Sequence, residues 1–166
     1  MEFTVDTKVT GKLFSDPASA VPIFNREFKT GLVEATALLQ YETVNRSPIG
    51  LGFFRRSIGS EVRGAGLNLQ GVVGSPLVYA LPIEEGAAPH FPPPEHLEIW
   101  VQRHGLSTNL AGKEIGFKRV AFLIARKINI TGLQAHWCFR DALEASATRI
   151  MGMLEAAQQR VIAALQ

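Results

Sequence analysis

The amino-acid sequence predicts an α+β fold: a small antiparallel meander sheet packed by two long helices, with shorter helices inserted after the third meander strand. Three observations support this prediction. Apolar residues recur every three or four positions over 17–45 and 139–165, the period of a helix with one buried face. Between residues 57 and 84 apolar and polar residues alternate, which is typical of short strands. The chain of 166 residues has no internal repeat and no composition break, so a single domain is expected.

The N-terminal part predicts a strand or arm followed by the first long helix. Apolar and polar residues alternate over residues 1–14. Asp16 can cap the free N–H groups of a helix start, and Pro17 needs no N–H at the first helical position. The helix should stop before Pro48, because the residue that precedes a proline avoids the helical conformation.

Each long helix carries one apolar stripe, and a small sheet offers limited area to cover both. Part of this apolar surface is therefore expected to contact another subunit. The stripes consist of Val21, Phe24, Phe28, Leu32, Ala35 and Leu39 in the first helix, and of Phe139, Leu143, Ala147, Ile150, Leu154, Ala157, Val161 and Leu165 in the last.

Three strands form the predicted meander. Their inward faces fall within Ile58–Val62, Leu67–Val73 and Leu77–Ile83. Glycine-rich turns at Arg63–Gly66 and Gly74–Pro76 connect them, so consecutive strands should pair antiparallel.

The predicted helical insertion, 94–132, follows a loop. The segment Glu84–His96 is too rich in proline and glycine for regular structure. A short helix should run from near Pro94 to Gly105 and direct Trp100 inward. A second helix is predicted over Phe117–Ile128.

Composition excludes several classes of protein. Hydrophobic residues make up 46% of the chain and charged residues 19%, which is globular rather than disordered. The net charge of +2 argues neither for nor against nucleic-acid binding, but the sequence has no obvious basic stripe of the kind that dedicated DNA binders carry. The sequence shows no signal-peptide pattern and no membrane-length apolar run, so a protein soluble in a cytoplasm is expected.

The sequence predicts no catalytic site. Cys138 lies two residues from His136, and residues at this spacing lie on different faces of a helix, so Cys138 is interpreted as a buried thiol at a helix start. The four histidines lack the paired spacing of a metal site. Glu84 and Glu85 are interpreted as strand-end carboxylates that face opposite ways. The sequence therefore predicts no enzyme, no cofactor and no metal.

Basic residues suggest two interpretations. Arg55 and Arg56 follow Phe53 and Phe54, a basic–aromatic cluster that suits a phosphate backbone or, alternatively, a strand start packed by the two phenylalanines. Four further cations are predicted on the solvated side of one amphipathic helix. They are Lys118, Arg119, Arg126 and Lys127.

Several motifs in order resemble the tail-completion, tail-terminator and neck proteins of long-tailed bacteriophages. The resemblance covers roughly residues 17 to 166 and rests on RSPIGLGFFRRSIGSEV, SPLVYALPIEEG, HFPPPEHLEIWVQRHGL, AFLIARKINITG and HWCFRDAL. Phe54 replaces the family's usual leucine, and residues 1–14 have no counterpart. The matching positions are Pro48, Gly50 or Gly52, Phe54, Ser57, Ile58, Tyr79, Ala80, Glu84, Gly86, Pro92 to Pro94, Trp100, Ala121, Ile124, Lys127, Ile128, Gly132 and Phe139.

The resemblance implies a structural virion protein at the head–tail junction. Such proteins form homo-oligomeric rings, commonly of six subunits, that complete the tail tube and join it to the head-side connector or stopper protein. The expected partners are other copies, the tail tube protein and that connector, with DNA passing through the lumen. The expected location is the virion, and the host cytoplasm during assembly. Neck, tail-terminator and minor capsid positions stay open.

The expected interface centres on the loop from Glu84 to Pro94, interpreted as a docking arm. The alternative function is a nucleic-acid-binding or DNA-packaging accessory protein that uses the basic residues above. The candidate interface residues are Phe53, Arg55, Arg56, Tyr79, Glu84, Glu85, Gly86, His90, Phe91 and Pro92.

Overall fold

The computed structural model describes residues 17–66, 68–108 and 112–165. It is a mixed helix and sheet structure, 65% helical, which agrees with the predicted α+β class. The strand or arm predicted over 1–14 lies outside the described residues. The elements are α1 (Pro17–Arg46), α2 (Phe53–Ser57), β1 (Gly59–Arg63), β2 (Gln70–Gly74), α3 (Ala80–Glu85), α4 (Pro94–Arg103), α5 (Phe117–Thr131) and α6 (Cys138–Leu165).

The two long helices, α1 and α6, form as predicted and pack together. A buried cluster of Ala20, Phe24, Val161 and Leu165 lies in their interface. Gly31 lies so close to α6 that a Cβ placed on it would be 2.5 Å from the Cβ of Ala157. Small residues therefore set the distance between these helices.

The apolar stripe of α6 was predicted one residue out of position in its first half. Ala142 and Ser146 are fully buried, whereas the predicted Leu143 and Ala147 are only half-buried. Hydrophobicity alone predicts that Leu143 is buried in preference to Ser146. Ser146 can be buried because its hydroxyl donates a hydrogen bond to the carbonyl of Ala142, at 2.6 Å, within the helix. From Leu154 onward the predicted and buried positions coincide.

The sheet has two antiparallel strands among the described residues, in the register Gly59↔Gly74 to Arg63↔Gln70. It contacts α1. Gln40 of α1 donates to the carbonyl of Ile58 at 2.8 Å and accepts from the hydroxyl of Ser60 at 2.6 Å. The first two strands of the predicted meander are thus present.

The prediction of a third meander strand was wrong. The stretch predicted as that strand, Leu77–Ile83, forms a turn that leads into α3, with the amide of Ala80 donating to the carbonyl of Leu77 at 2.9 Å. Pro82 explains the outcome, because a proline removes a donor from a strand ladder but fits the first turn of a helix, where the N–H has no partner.

A second correction concerns the residues before β1. The predicted strand start that contains Arg55 and Arg56 is the short helix α2, in which only Phe54 is buried. Glu84 and Glu85 consequently lie at the end of helix α3 rather than at the end of a strand.

The chain divides into two compact units. The first contains the described residues up to Arg46, residues 58–75 and the described residues from Arg140 onward; the second contains Ser47–Ser57 and Pro76–Phe139. The core of the second unit joins α4 to α5 through Val101, Val120 and Ala121. Trp100 packs against this cluster, as predicted, and both helices have close to their predicted bounds.

Candidate functional site

The backbone of the predicted docking loop is hydrogen-bonded to another segment of the second unit. Ala87 and Leu133 exchange two hydrogen bonds, of 3.1 and 2.9 Å. Beside them, Gly86 and Gly132 have positive φ, and a Cβ on either would lie within 2.5 Å of a carbonyl oxygen across the pair. Only glycine fits at these two positions, so the start of the loop is fixed in place.

Glu84 caps helix α6 from a distant part of the sequence. Its Oε2 accepts a hydrogen bond from the backbone N–H of Phe139 at 3.0 Å and from the Sγ of Cys138 at 3.1 Å. A carboxylate at a helix N-terminus satisfies free N–H groups and complements the helix dipole. Glu84, predicted as an interface residue, therefore has a structural role.

Cys138 is a buried thiol at a helix start, as interpreted from the sequence. Burial and the hydrogen bond to the Glu84 carboxylate raise the pKa of this thiol from the ordinary 9.0 to about 11. It is protonated at neutral pH and inaccessible, so it is unsuited to nucleophilic chemistry. His136, two residues away, is exposed.

The basic–aromatic cluster of α2 is partly used for local structure. The Nε of Arg55 donates to the carbonyl of Ser47 at 2.8 Å. Arg56 is exposed and lies over the ring of Phe53, with its guanidinium carbon 5.2 Å from the ring centre. The Phe53 side chain is 52% exposed. Phe53 and Arg56 are thus surface residues, whereas Arg55 stabilises the local backbone through its bond to Ser47.

The remaining predicted interface residues are mostly at the surface. Tyr79, Glu85 and His90 are exposed, and the Nδ1 of His90 lies 2.9 Å from the carbonyl of Ala88. Pro92 is half-buried. Phe91 is exposed, and its ring packs edge-on against Phe122 of α5 with ring centres 5.9 Å apart.

Helix α5 exposes a second apolar stripe that sequence reasoning missed. Phe122, Leu123 and Ile130 are 49%, 42% and 66% exposed. They lie opposite the stripe through Val120 and Ile124 that packs on α4. The signal in the sequence was an apolar pattern all round the helix, which indicates burial on more than one side.

The cations predicted on this helix are exposed as expected. Arg119 and Arg126 lie among the exposed apolar residues, and α5 contains no carboxylate. The outward side of α5 is therefore both apolar and basic. We call the set Arg119, Phe122, Leu123, Arg126 and Ile130 the basic face of α5.

An apolar groove with a volume of about 500 Å³ lies between α3 and the C-terminal half of α5. Ile83, Ile124 and Ile128 line it, and Lys127 and His136 also contribute to its wall. Among the described residues, His, Cys, Asp and Glu side chains nowhere form a group of three that could bind a metal ion. None of the described helices combines the length and the hydrophobicity of a transmembrane span.

Compared with known proteins, the chain matches no family model, no curated sequence and no solved structure. The family resemblance given above therefore remains a prediction that rests on the quoted motifs.

Proposed function

We propose that this protein is a structural subunit of a bacteriophage virion that forms a ring at the head–tail junction. The observation that carries the proposal is the exposed apolar surface of the second unit, which includes Phe122, Leu123 and Ile130 of α5. Exposed apolar patches of this kind mark protein interaction sites. The motif order that resembles tail-completion proteins supports the choice of partner.

In the proposed role the subunit performs no catalysis. Cys138 is buried with a raised pKa. Its neighbour Glu84 is engaged in capping α6. The proposed function requires that the surfaces of neighbouring subunits be complementary in shape and charge, so that the same contact repeats around a closed ring. The tail tube protein and the head-side connector are the further partners in this proposal.

Size-exclusion chromatography with light scattering and negative-stain electron microscopy test the proposal. The expected result is a closed ring, of six subunits by the family resemblance, that also binds the end of purified tail tubes. A compact monomer at high protein concentration that never associates with tail tubes would contradict it.

A second candidate function is nucleic-acid binding or DNA packaging. The observation that favours it is the run of exposed cations on α5, Lys118, Arg119, Arg126 and Lys127, without a carboxylate on the helix. Binding through phosphate contacts weakens steeply with salt. Measurable affinity for duplex DNA at ~50 mM salt that falls as salt is added supports this candidate; undetectable binding at that salt excludes it.

A further inference from the structure

The basic face of α5 has a regular geometry suited to a partner helix. Its members are spaced three and four residues apart, so they lie along one side of the helix. Large apolar side chains project from it, and the contact with Phe91 limits the motion of Phe122. An occupant must therefore provide space for these side chains and negative charge for Arg119 and Arg126.

The outward side of α6 has the opposite character. One stripe along it contains small residues and carboxylates at helical spacing, all of them exposed, and the exposed Arg140 and Arg149 flank this stripe. A Cβ added to Gly152 would meet no atom within 4 Å, so the surface there is open. We call the following set the acidic face of α6. Its members are Asp141, Glu144, Ala145, Thr148, Gly152 and Glu155.

We infer that the basic face of α5 in one copy of the chain docks on the acidic face of α6 in a second copy. Phe122, Leu123 and Ile130 would insert beside the small residues, where the two helix axes can approach closely. The arginines would meet carboxylates. The ion pairs of Asp141 and Glu144 with Arg140 are exposed at 3.1 and 4.0 Å and contribute little, so they do not compete strongly.

This contact is heterologous, because the two surfaces that meet are different. Every copy carries both faces, so each binds one neighbour through α5 and another through α6. Repetition of one heterologous contact produces a closed ring when the rotation between copies closes. The inference rests on the proposed function and specifies which helices form the ring contact.

Two substitutions test the two faces separately. Ile130→Glu places a carboxylate on the 66% exposed position of α5 and should raise the dissociation constant between copies by roughly tenfold or more. Gly152→Leu should weaken association by a similar, roughly tenfold, factor, since the new side chain blocks the close approach. The same change should raise the thermal unfolding midpoint by roughly a few degrees, because leucine favours a helix more than glycine does.

The matched control is Ala37→Leu, which adds a leucine at an exposed position of α1 outside both faces. Sedimentation velocity of the full chain should show unchanged association for this variant. If Ala37→Leu weakens association as much as Gly152→Leu, the effect is not specific to α6 and the inference is overturned.

Mixing the two interface variants gives the sharpest test. The Ile130→Glu copy keeps an intact α6 face, and the Gly152→Leu copy keeps an intact α5 face. An equimolar mixture should therefore form a dimer with one intact contact and no ring. A mixture that stays monomeric, or single variants that form rings as readily as the wild type, overturns the inference.

The wild-type chain separates this inference from the proposed function. If the wild type forms rings and the variants form them as readily, the α5–α6 contact is wrong but the proposed ring function is not contradicted. A wild-type chain that stays monomeric overturns both. Monomers that bind duplex DNA through α5, with binding lost in Arg119→Glu, assign the basic face to nucleic acid instead and likewise overturn the inference.

Discussion

The two compact units are stabilised in different ways, although α6 contributes residues to both. The first unit is held by apolar packing between α1 and α6 around Phe24 and Val161, with Gly31 at the closest approach. The second has an apolar cluster around Val101, and backbone hydrogen bonds also join its distant segments, as in the pairing of Ala87 with Leu133.

The two units also differ in how many large hydrophobic side chains they expose. Fifteen large hydrophobic side chains are exposed among the described residues; two of them, Val33 and Tyr41, belong to the first unit, and the remaining thirteen belong to the second. An apolar side chain that is exposed in a subunit is available to an interface. The second unit therefore carries most of the exposed apolar surface of the described residues.

The largest expected effect tests the difference in packing directly. Phe24→Ala in the first unit should cost about 3–5 kcal/mol of unfolding free energy, because a buried ring stacked on Phe28 at 5.1 Å is lost. Phe122→Ala in the second unit should cost less than about 1 kcal/mol, since that ring is half exposed. Urea denaturation at low protein concentration measures both. Equal losses would contradict the difference in burial between these two rings.

The second prediction concerns the buried thiol of the second unit. The folded state raises the pKa of Cys138 to about 11, so the stabilisation is fully present below pH 9 and is lost as the pH rises to about 11. Two pKa units correspond to at most about 2–3 kcal/mol. Cys138→Ser keeps a hydrogen-bond donor without this titration.

Urea denaturation of wild type and Cys138→Ser over this pH range isolates the thiol, because lysines and tyrosines titrate equally in both proteins. Wild type should lose more stability than the variant. Parallel pH profiles would show that the thiol is not buried against Glu84 in the folded protein.

The third prediction compares two helix glycines. Gly31→Ala should destabilise the protein by about 1–3 kcal/mol, because the new methyl group overlaps Ala157 of α6. Gly152→Ala has open space and should stabilise the protein by up to about 1 kcal/mol through helix propensity. Thermal unfolding should show shifts of opposite sign. A gain at both positions would mean that α1 and α6 are not in close contact at Gly31.

The smallest expected effect concerns the cap on α6. Glu84→Ala should cost about 1–2 kcal/mol, because the N–H of Phe139 loses its acceptor. The matched control, Glu85→Ala, changes an exposed neighbour on the same helix and should stay within about 0.5 kcal/mol of wild type. Chemical denaturation of the pair measures the difference. Indistinguishable midpoints would assign Glu84 to the surface, where the sequence placed it.

The sequence alone determined the elements whose signals are local. The bounds of α1, α4, α5 and α6 follow from apolar periodicity and from breakers such as Pro48, and the alternation around β1 and β2 specified their pairing. Cys138 was interpreted as a buried thiol because residues two apart lie on different faces of a helix, so no catalytic pair with His136 was expected.

Tertiary structure decided the features that depend on distant partners. The period-two pattern of Leu77–Ile83 fits a strand as well as a turn and helix, and contacts with residues 133–137 accompany the helical outcome. Glu84 binds a helix that starts 54 residues later, a relation that no local pattern encodes. Likewise, α5 is apolar on more than one side, and only the packing of α4 on one of them determines which apolar residues remain exposed.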